Sequence, residues 1–444
     1  MAAELELSRD QRIRDPIHNL ISFFSGREED KLLWRLMGTF PVQRLRRIKQ
    51  LGFSEFVYPG ATHTRFAHVL GAMQMARRML DAFEKAEIFN GNKEHEKMRK
   101  ATIAAALLHD IGHGPYSHVF EEISTTLGIE EAHENITRKI IESTEIKDIL
   151  VEYGVFVEVS KFFTDEPGYS PYTTIISSQM DCDRLDFLAR DRYHTGIQSS
   201  AIDLAWLFDS LRIEEVPIDP IGGQSEFSFV VLEKGIGSAE EFVISYMKMY
   251  KEVYFHKTTR AVQHIVRDCF QEFINSNKGS SQVKNQSIFQ YFLNDKSRGL
   301  DQYLQLDDTS IIHALHSIAE GDFGTSTALA KRYFSRDLYK CIELPASNTG
   351  AIKQSLAKKF VDALKAEKID FVSDVITGKT YKQYAVMEKN FLKNILIKKD
   401  GEAQSLGEVS NIVKSLGEKS ARLYFKSTDD KEKATALLKK CKAT

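Results

Sequence analysis

The segment IAAALLHDIGHGPYSH, residues 103–118, constrains the chain more than any other stretch. Ile103 to Leu108 is an uninterrupted run of apolar, helix-favouring residues and reads as a buried helix. It runs straight into His109-Asp110, and a carboxylate carried into an apolar interior needs a cation or a hydrogen-bond network around it. Gly112, Gly114 and Pro115 then stop the helix and let the backbone approach a ligand. Three histidines, His109, His113 and His118, crowd around that break. A plain solvated helix end needs neither the apolar lead-in nor so many imidazoles.

Length allows a large core. The 444 residues suit two or three domains or one large helical unit. A hydrophobic fraction of 42% and a charged fraction of 27% are those of an ordinary soluble protein. The formal net charge of -2 gives no global basic field for nucleic acid or a membrane surface. The charge is uneven, with about +8 in the last hundred residues, which we read as a solvated basic lobe rather than a phosphate patch. Cys182, Cys269, Cys341 and Cys441 form no CxxC pair, so neither a zinc knuckle nor a disulfide framework is indicated. Reduced thiols, no apolar leader at the N-terminus and no apolar run approaching ~20 residues point to a cytoplasmic protein with no membrane span.

Periodicity predicts a mainly α fold with small β elements. A turn with a short strand or hairpin is expected over 12–24, and helices over 28–37, 41–51, 64–83, 98–110, 121–127, 133–149, 175–188 and 199–212. Short β-like runs fill 213–233, and one long aromatic-rich helix is expected from about Ser238 to Asn275. A polar break at 275–286 suggests a boundary near 280, giving a core over 1–280 and a C-terminal helical or α+β lobe over 281–444. That lobe reads as mostly helical over 288–345, with β-like pieces within 369–426.

His68 in one helix, His109 and Asp110 at the end of another, and Asp183 in a third would supply two imidazoles and two carboxylates if they converge. That mixed set suits a borderline divalent ion such as Mn, Fe, Ni, Co or Zn better than Ca or a thiolate-loving metal. Arg65, three residues before His68, and Arg184, beside Asp183, are placed to meet a phosphate. His113, His118 and His133 could each carry a proton near neutrality.

RFAHVLG, LLHDIGHGPYSH and SSQMDCDRLDFLARD resemble the three signatures of the HD-domain metal-dependent phosphohydrolases. DPIHN, FPVQRLRRIKQLG, PGATHTRFAH and ARDRYHTGI look more closely like its deoxynucleoside triphosphate triphosphohydrolase branch, which includes the vertebrate sterile-alpha-motif enzyme; no such motif precedes the match here. The resemblance is strong over about 12–200, weaker to 275 and architectural beyond.

It implies an HD-type helical core and a divalent ion, Mg included, on His68, His109, Asp110 and Asp183. It makes Arg65 and Arg184 phosphate ligands, His118 the acid toward the leaving oxygen, and His113, His133 and Glu134 its support or phosphate contacts. Gln50 and Asp191 would meet the sugar 3′-hydroxyl. The implied reaction is attack of water on the α-phosphorus, releasing a nucleoside and triphosphate; the resemblance also implies a homo-oligomer, dimer or tetramer. At 187 this chain has Phe where the branch usually places Tyr against the sugar, which removes a hydroxyl contact. Gly38 stands where the nucleotide-activated members carry an acidic residue that reads guanine, although Gln43 and Arg46 match the rest of that site. Other readings of the same residues are a phosphatase or phosphodiesterase on other nucleotides, or a nuclease or nucleic-acid-binding component using the basic lobe.

Overall fold

A computed structural model describes residues 6–86, 91–129, 132–166, 168–199, 201–219, 224–276, 286–293, 298–344, 351–377, 391–414 and 419–443. It is mainly helical with three small sheets. The first sheet is the antiparallel hairpin Gln11–Asp15 and Asn19–Phe23, with Ile13 opposite Ile21. Its turn is closed by Asp15, whose Oδ1 accepts the N–H groups of Ile17 and His18 at 2.9 and 3.0 Å. This points His18 inward.

Three helices form the centre. Arg65–Lys85 packs against both Lys93–Leu108 and Cys182–Thr195. The apolar lead-in behaves as its composition demands: Ile103 through Leu108 are fully buried. The helix ends at His109, so the polar pair emerges where the backbone is released from the i to i−4 ladder.

The second sheet joins the antiparallel hairpin Leu211–Asp219 and Gln224–Leu232 to two late strands. Leu396–Lys399 pairs parallel to Gln224–Leu232, and Glu402–Ser405 completes the edge. The third sheet places Lys419–Phe425 between Lys340–Leu344 and Val372–Thr377, all antiparallel. The helices Ala351–Ala366 and Thr428–Ala443 pack together beside it around a small core that includes Phe360, Leu364 and Phe425. The main core draws on residues from Leu7 to Tyr424. The expected boundary near 280 falls among 277–285, outside the described residues. Among those described, no helix is long and apolar enough to cross a membrane.

Several expected elements are shorter than periodicity suggested. The helix expected over 41–51 is α-helical only over Phe40–Arg44, with a 3-10 turn at Leu45–Arg47. The chain then straightens, because Lys49 bridges Thr64 while Gln50 N donates to His63 O and Arg65 N to Ile48 O. The stretch 133–149 divides at Thr144, whose hydroxyl caps Ile146 N. Over 175–188 a break separates Pro171–Ile176 from Cys182–Thr195, and Asp181 starts the latter by accepting Arg184 N at 2.9 Å. The long helix from Ser238 is interrupted by a π-turn at Tyr250–Tyr254, and a new helix begins at Lys257. Among the described residues of 199–212, only Leu204–Ser210 is helical.

Candidate active site

The three central helices bring His68, His109, Asp110 and Asp183 to one point. His68 Nε2 lies 3.3 Å from His109 Nε2 and 3.0 Å from Asp183 Oδ1. His109 Nε2 lies 3.5 Å from Asp110 Oδ1 and 3.6 Å from Asp183 Oδ1. The opposite ring nitrogens are already committed. His109 Nδ1 faces the carbonyl of Ala106 at 2.8 Å, and His68 Nδ1 faces Asp186 Oδ2 at 2.9 Å. A carbonyl only accepts, and a buried carboxylate beside Arg190 accepts as well, so each Nδ1 carries the proton. The two Nε2 atoms therefore face one another and Asp183 Oδ1, an arrangement that calls for positive charge there, either a bound cation or a proton on Nε2. His68, His109 and Asp110 bring their ligand atoms within 4.8 Å of one another, and Asp183 Oδ1 lies beside both imidazoles; imidazole nitrogens with carboxylates are the donor set of a borderline divalent ion, and these residues fit one.

The electrostatics agree. Burial disfavours a charged His68, but its bonds to Asp183 and Asp186 overcome this and lift its pKa to about 10. His109 shifts the same way, burial again opposing and Asp110 and Asp183 raising it. Burial opposes the ionised Asp183 and Asp110 too. His109 and His68 nonetheless hold Asp183 low, and Arg65, His109 and His113 hold Asp110 low. The focus draws cations and keeps its carboxylates ionised.

A buried scaffold stands behind it. Asp186, with no exposure, takes His18 Nε2 at 2.8 Å, His68 Nδ1, and Arg190 through Nε and Nη2 at 2.8 and 2.9 Å. Arg190 Nη1 reaches on to Asp15 at 2.8 Å, tying the N-terminal hairpin to the centre. Gly71 permits this approach, since a Cβ there would sit 1.8 Å from Asp186 Oδ1.

On the other side, Arg65 bonds Asp110 through Nη1 and donates from Nε to Ser117 Oγ at 2.9 Å. Arg65 also lines a cavity of about 710 Å³, within the range of small-molecule sites. Gln50, Phe187, Asp191, Tyr250 and Tyr254 line it too. Gln50 Oε1 is buried with no partner among the described residues, an acceptor open to a ligand donor. Asp191 is fixed between His63 Nε2 and the Tyr254 hydroxyl, each at 2.7 Å. The Phe187 ring is 6.5 Å from that of His68 and meets Tyr254 edge-on at 5.8 Å.

The remaining expected residues divide. His113 Nε2 lies 3.2 Å from Asp110 Oδ1, and its ring stacks on His133 at 3.9 Å. His133 Nδ1 meets Glu121 at 2.7 Å and Glu134 at 3.4 Å, although Glu134 is exposed. Burial and Arg65 drive His113 well below the usual imidazole range. For His133, burial is outweighed by Glu121 and Glu134, and its pKa rises. The two stacked rings are thus pushed in opposite directions, His113 toward the neutral form and His133 toward the protonated one. His118 begins the helix His118–Thr126, but its side chain lies outside the described residues. Arg184 is turned toward Asp181 and the carbonyl of Ser178 and is not among the described cavity-lining residues. Sequence reasoning did not assign His18, Gly71, Asp186, Arg190 or Glu121. The i to i+4 spacing of Asp186 and Arg190 was the available signal.

The HD domain model matches residues 65–186, and the HD associated region model matches 224–424. The uncharacterized protein YwfO of Bacillus subtilis is 30% identical over 428 residues, covering 95% of this chain and 93% of that protein. The deoxynucleoside triphosphate triphosphohydrolase SAMHD1 of Homo sapiens is 26% identical, over 94% of this chain and 71% of its own length. A crystal structure of a phosphohydrolase from Bacteroides thetaiotaomicron superposes with a TM-score of 0.72 at 26% identity, covering 94% of this chain and 100% of that one. With the His and Asp cluster lying inside the first matched span and the cavity wall reaching into the second, this chain belongs to the HD-domain phosphohydrolases that carry an HD-associated region.

Proposed function

We propose that the chain hydrolyses (deoxy)nucleoside triphosphates, with water attacking the α-phosphorus to release a nucleoside and inorganic triphosphate. The observation that carries this reading is Arg65, which binds Asp110 in the metal-type cluster and at the same time lines a nucleotide-sized cavity. The similarity to SAMHD1 over most of the chain supports the substrate class. His68, His109, Asp110 and Asp183 would hold the divalent ion, which when bound would supply an activated water and Lewis-acid polarisation of the phosphoryl oxygen. Mn is the first metal to try, with Fe, Ni, Co, Zn and Mg as alternatives.

The chain's own groups do the rest. Arg65 neutralises phosphate charge and orients the α-phosphoryl group. As the bond to O5′ breaks, that oxygen needs a proton. His118 is placed by sequence as its donor, with His113, His133, Glu121 and Glu134 as the polar surround. Phe187 and Tyr254 give the sugar and base an apolar wall, and Gln50 and Asp191 are the polar contacts at the 3′-hydroxyl. Arg184 reaches phosphate only by leaving Asp181.

The test is a panel of dNTPs, NTPs, monophosphates and a phosphodiester, assayed with metal-reconstituted protein and product identification. Triphosphate release supports the proposal. Orthophosphate or pyrophosphate as sole product makes the chain a phosphatase or pyrophosphatase of other nucleotides. Cleavage of single strands, with binding that weakens steeply with salt, makes it a nuclease using the basic lobe. Size measurement in the same preparation tests the proposed homo-oligomer.

A further inference from the structure

Tyr116 and Ser117 are consecutive non-glycine residues with φ of 51° each, and Ser117 has ψ of −106°. Side chains rarely adopt this backbone, and a pair in sequence persists only where the surroundings over-determine it. Ser117 is the residue whose Oγ accepts Arg65 Nε. The strained turn therefore sets where the guanidinium points.

One side chain holds that turn from a distant part of the chain. Asp308, on the first turn of the helix Asp308–Glu320, is 5% exposed. Its Oδ1 accepts Tyr116 N at 2.7 Å, and its Oδ2 accepts Lys49 N at 2.8 Å. Lys49 sits in the straightened segment between two contacts of the site. Ile48 O accepts the backbone N–H of Arg65 at 2.9 Å, and Gln50 lines the cavity. Arg65 is thus fixed at both ends, its backbone by the 48–50 segment and its guanidinium by Ser117 of the 116–117 turn at Nε and by Asp110 at Nη1. Asp308 ties those two segments together with the two oxygens of one carboxylate.

We propose that Asp308 is a positioning residue that sets Arg65 for a phosphate ligand, acting through the backbone of Tyr116 and Lys49 without touching the ligand. The ligand class rests on the function proposed above, but the positioning does not require hydrolysis. Asn cannot replace Asp308 in this role. It offers one acceptor and one NH2 group, so either way round a donor faces a backbone N–H.

The experiment compares wild type, Asp308→Asn and Leu315→Ala, all full length and loaded with Mn. Leu315 is fully buried in the same helix and its side chain has no polar atom, so its truncation destabilises while leaving the Asp308 carboxylate in place. Metal content, thermal midpoint, and affinity for inorganic triphosphate and for inorganic phosphate are measured by mass spectrometry, calorimetry and titration. Asp308→Asn is expected to keep its metal and weaken anion binding by tenfold or more. Leu315→Ala is expected to melt earlier and bind anions as wild type does. Wild-type affinity in Asp308→Asn overturns the proposal, as does an equal loss in Leu315→Ala, which would mean only a structural role. If wild type binds phosphate but not triphosphate, and Asp308→Asn weakens phosphate binding, the positioning stands while the triphosphate substrate falls. If wild type binds neither anion, Arg65 is no phosphate ligand and the proposal is overturned with it.

Discussion

His68 Nδ1 lies 2.9 Å from Asp186 Oδ2, and neither side chain has any exposure to solvent. That contact fixes the tautomer that leaves Nε2 for the cluster, the role outer carboxylates play behind metal-binding histidines. Asp186→Asn should therefore lower metal affinity about 10- to 100-fold, as carboxylates in this position commonly do. Asp186→Ala should do more. It strands the buried guanidinium of Arg190 with one carboxylate instead of two, a defect of about 3–5 kcal/mol when a buried pair is broken. Metal titration and denaturant unfolding read the two effects separately. Unchanged metal affinity in the Asn variant would remove Asp186 from the site.

Gly71→Ala is expected to destabilise although it lies inside a helix. Alanine normally gains about 0.5–1 kcal/mol over glycine there. Here the added methyl would lie 1.8 Å from Asp186 Oδ1 and 2.4 Å from Arg190 Nη2, both held by further bonds and unable to give way cheaply. A net loss of about 1–3 kcal/mol, the usual cost of overpacking, together with weaker metal binding, is the expected outcome. A stabilised variant would show that the Asp186 and Arg190 pair is movable.

The organising segment was legible because its chemistry is local. An apolar helix ending in His109-Asp110 and broken by Gly112 announces a site wherever the rest of the chain lies. His68 and Asp183 were legible from residue chemistry only on the condition that they converge, and the resemblance of their motifs supplied that condition, since no spacing rule connects positions so far apart. The scaffold was not. Asp186 read as an interruption of an apolar pattern, and His18 sat in a hairpin with no visible partner, because the contact that gives both meaning spans 168 positions. Pro41–Leu51 misled for the opposite reason. Its apolar spacing is helical, but pairing with His63–Thr64 overrides local preference after Arg47.

Replacing Phe187 by Tyr tests the departure that lines the cavity proposed to take the substrate. Phe187 lines the cavity beside Tyr254, and its ring brings no polar atom to that wall. A hydroxyl there can prefer one sugar over another, which a hydrocarbon edge does only weakly. The ratio of kcat/KM for dNTPs over NTPs should change by roughly tenfold, a modest fraction of what a dedicated hydrogen bond achieves. An unchanged ratio would place the sugar elsewhere in the cavity.

Asp308 also predicts a pH dependence with a definite sign. Burial raises its pKa from 3.8 to about 6, and Asp307 adds to the rise. The N–H groups of Lys49 and Tyr116 and the Lys49 charge pull the other way without cancelling it. The folded state therefore binds the proton more tightly than the unfolded chain between those two values. Stability from this group is fully present below 3.8 and is lost as pH rises through about 6. The whole shift is worth about 3 kcal/mol. Going from pH 7 to pH 4, wild type should gain on Asp308→Asn by up to that amount in chemical denaturation. Anion binding should move the other way, because a protonated Asp308 can no longer accept both backbone N–H groups fully. The affinity gap for inorganic phosphate between wild type and Asp308→Asn should be widest near neutrality and close below pH 6. A gap independent of pH, with parallel stability curves, would mean that the Asp308 carboxylate ionises at its ordinary pKa and that its contacts to Tyr116 and Lys49 outweigh burial.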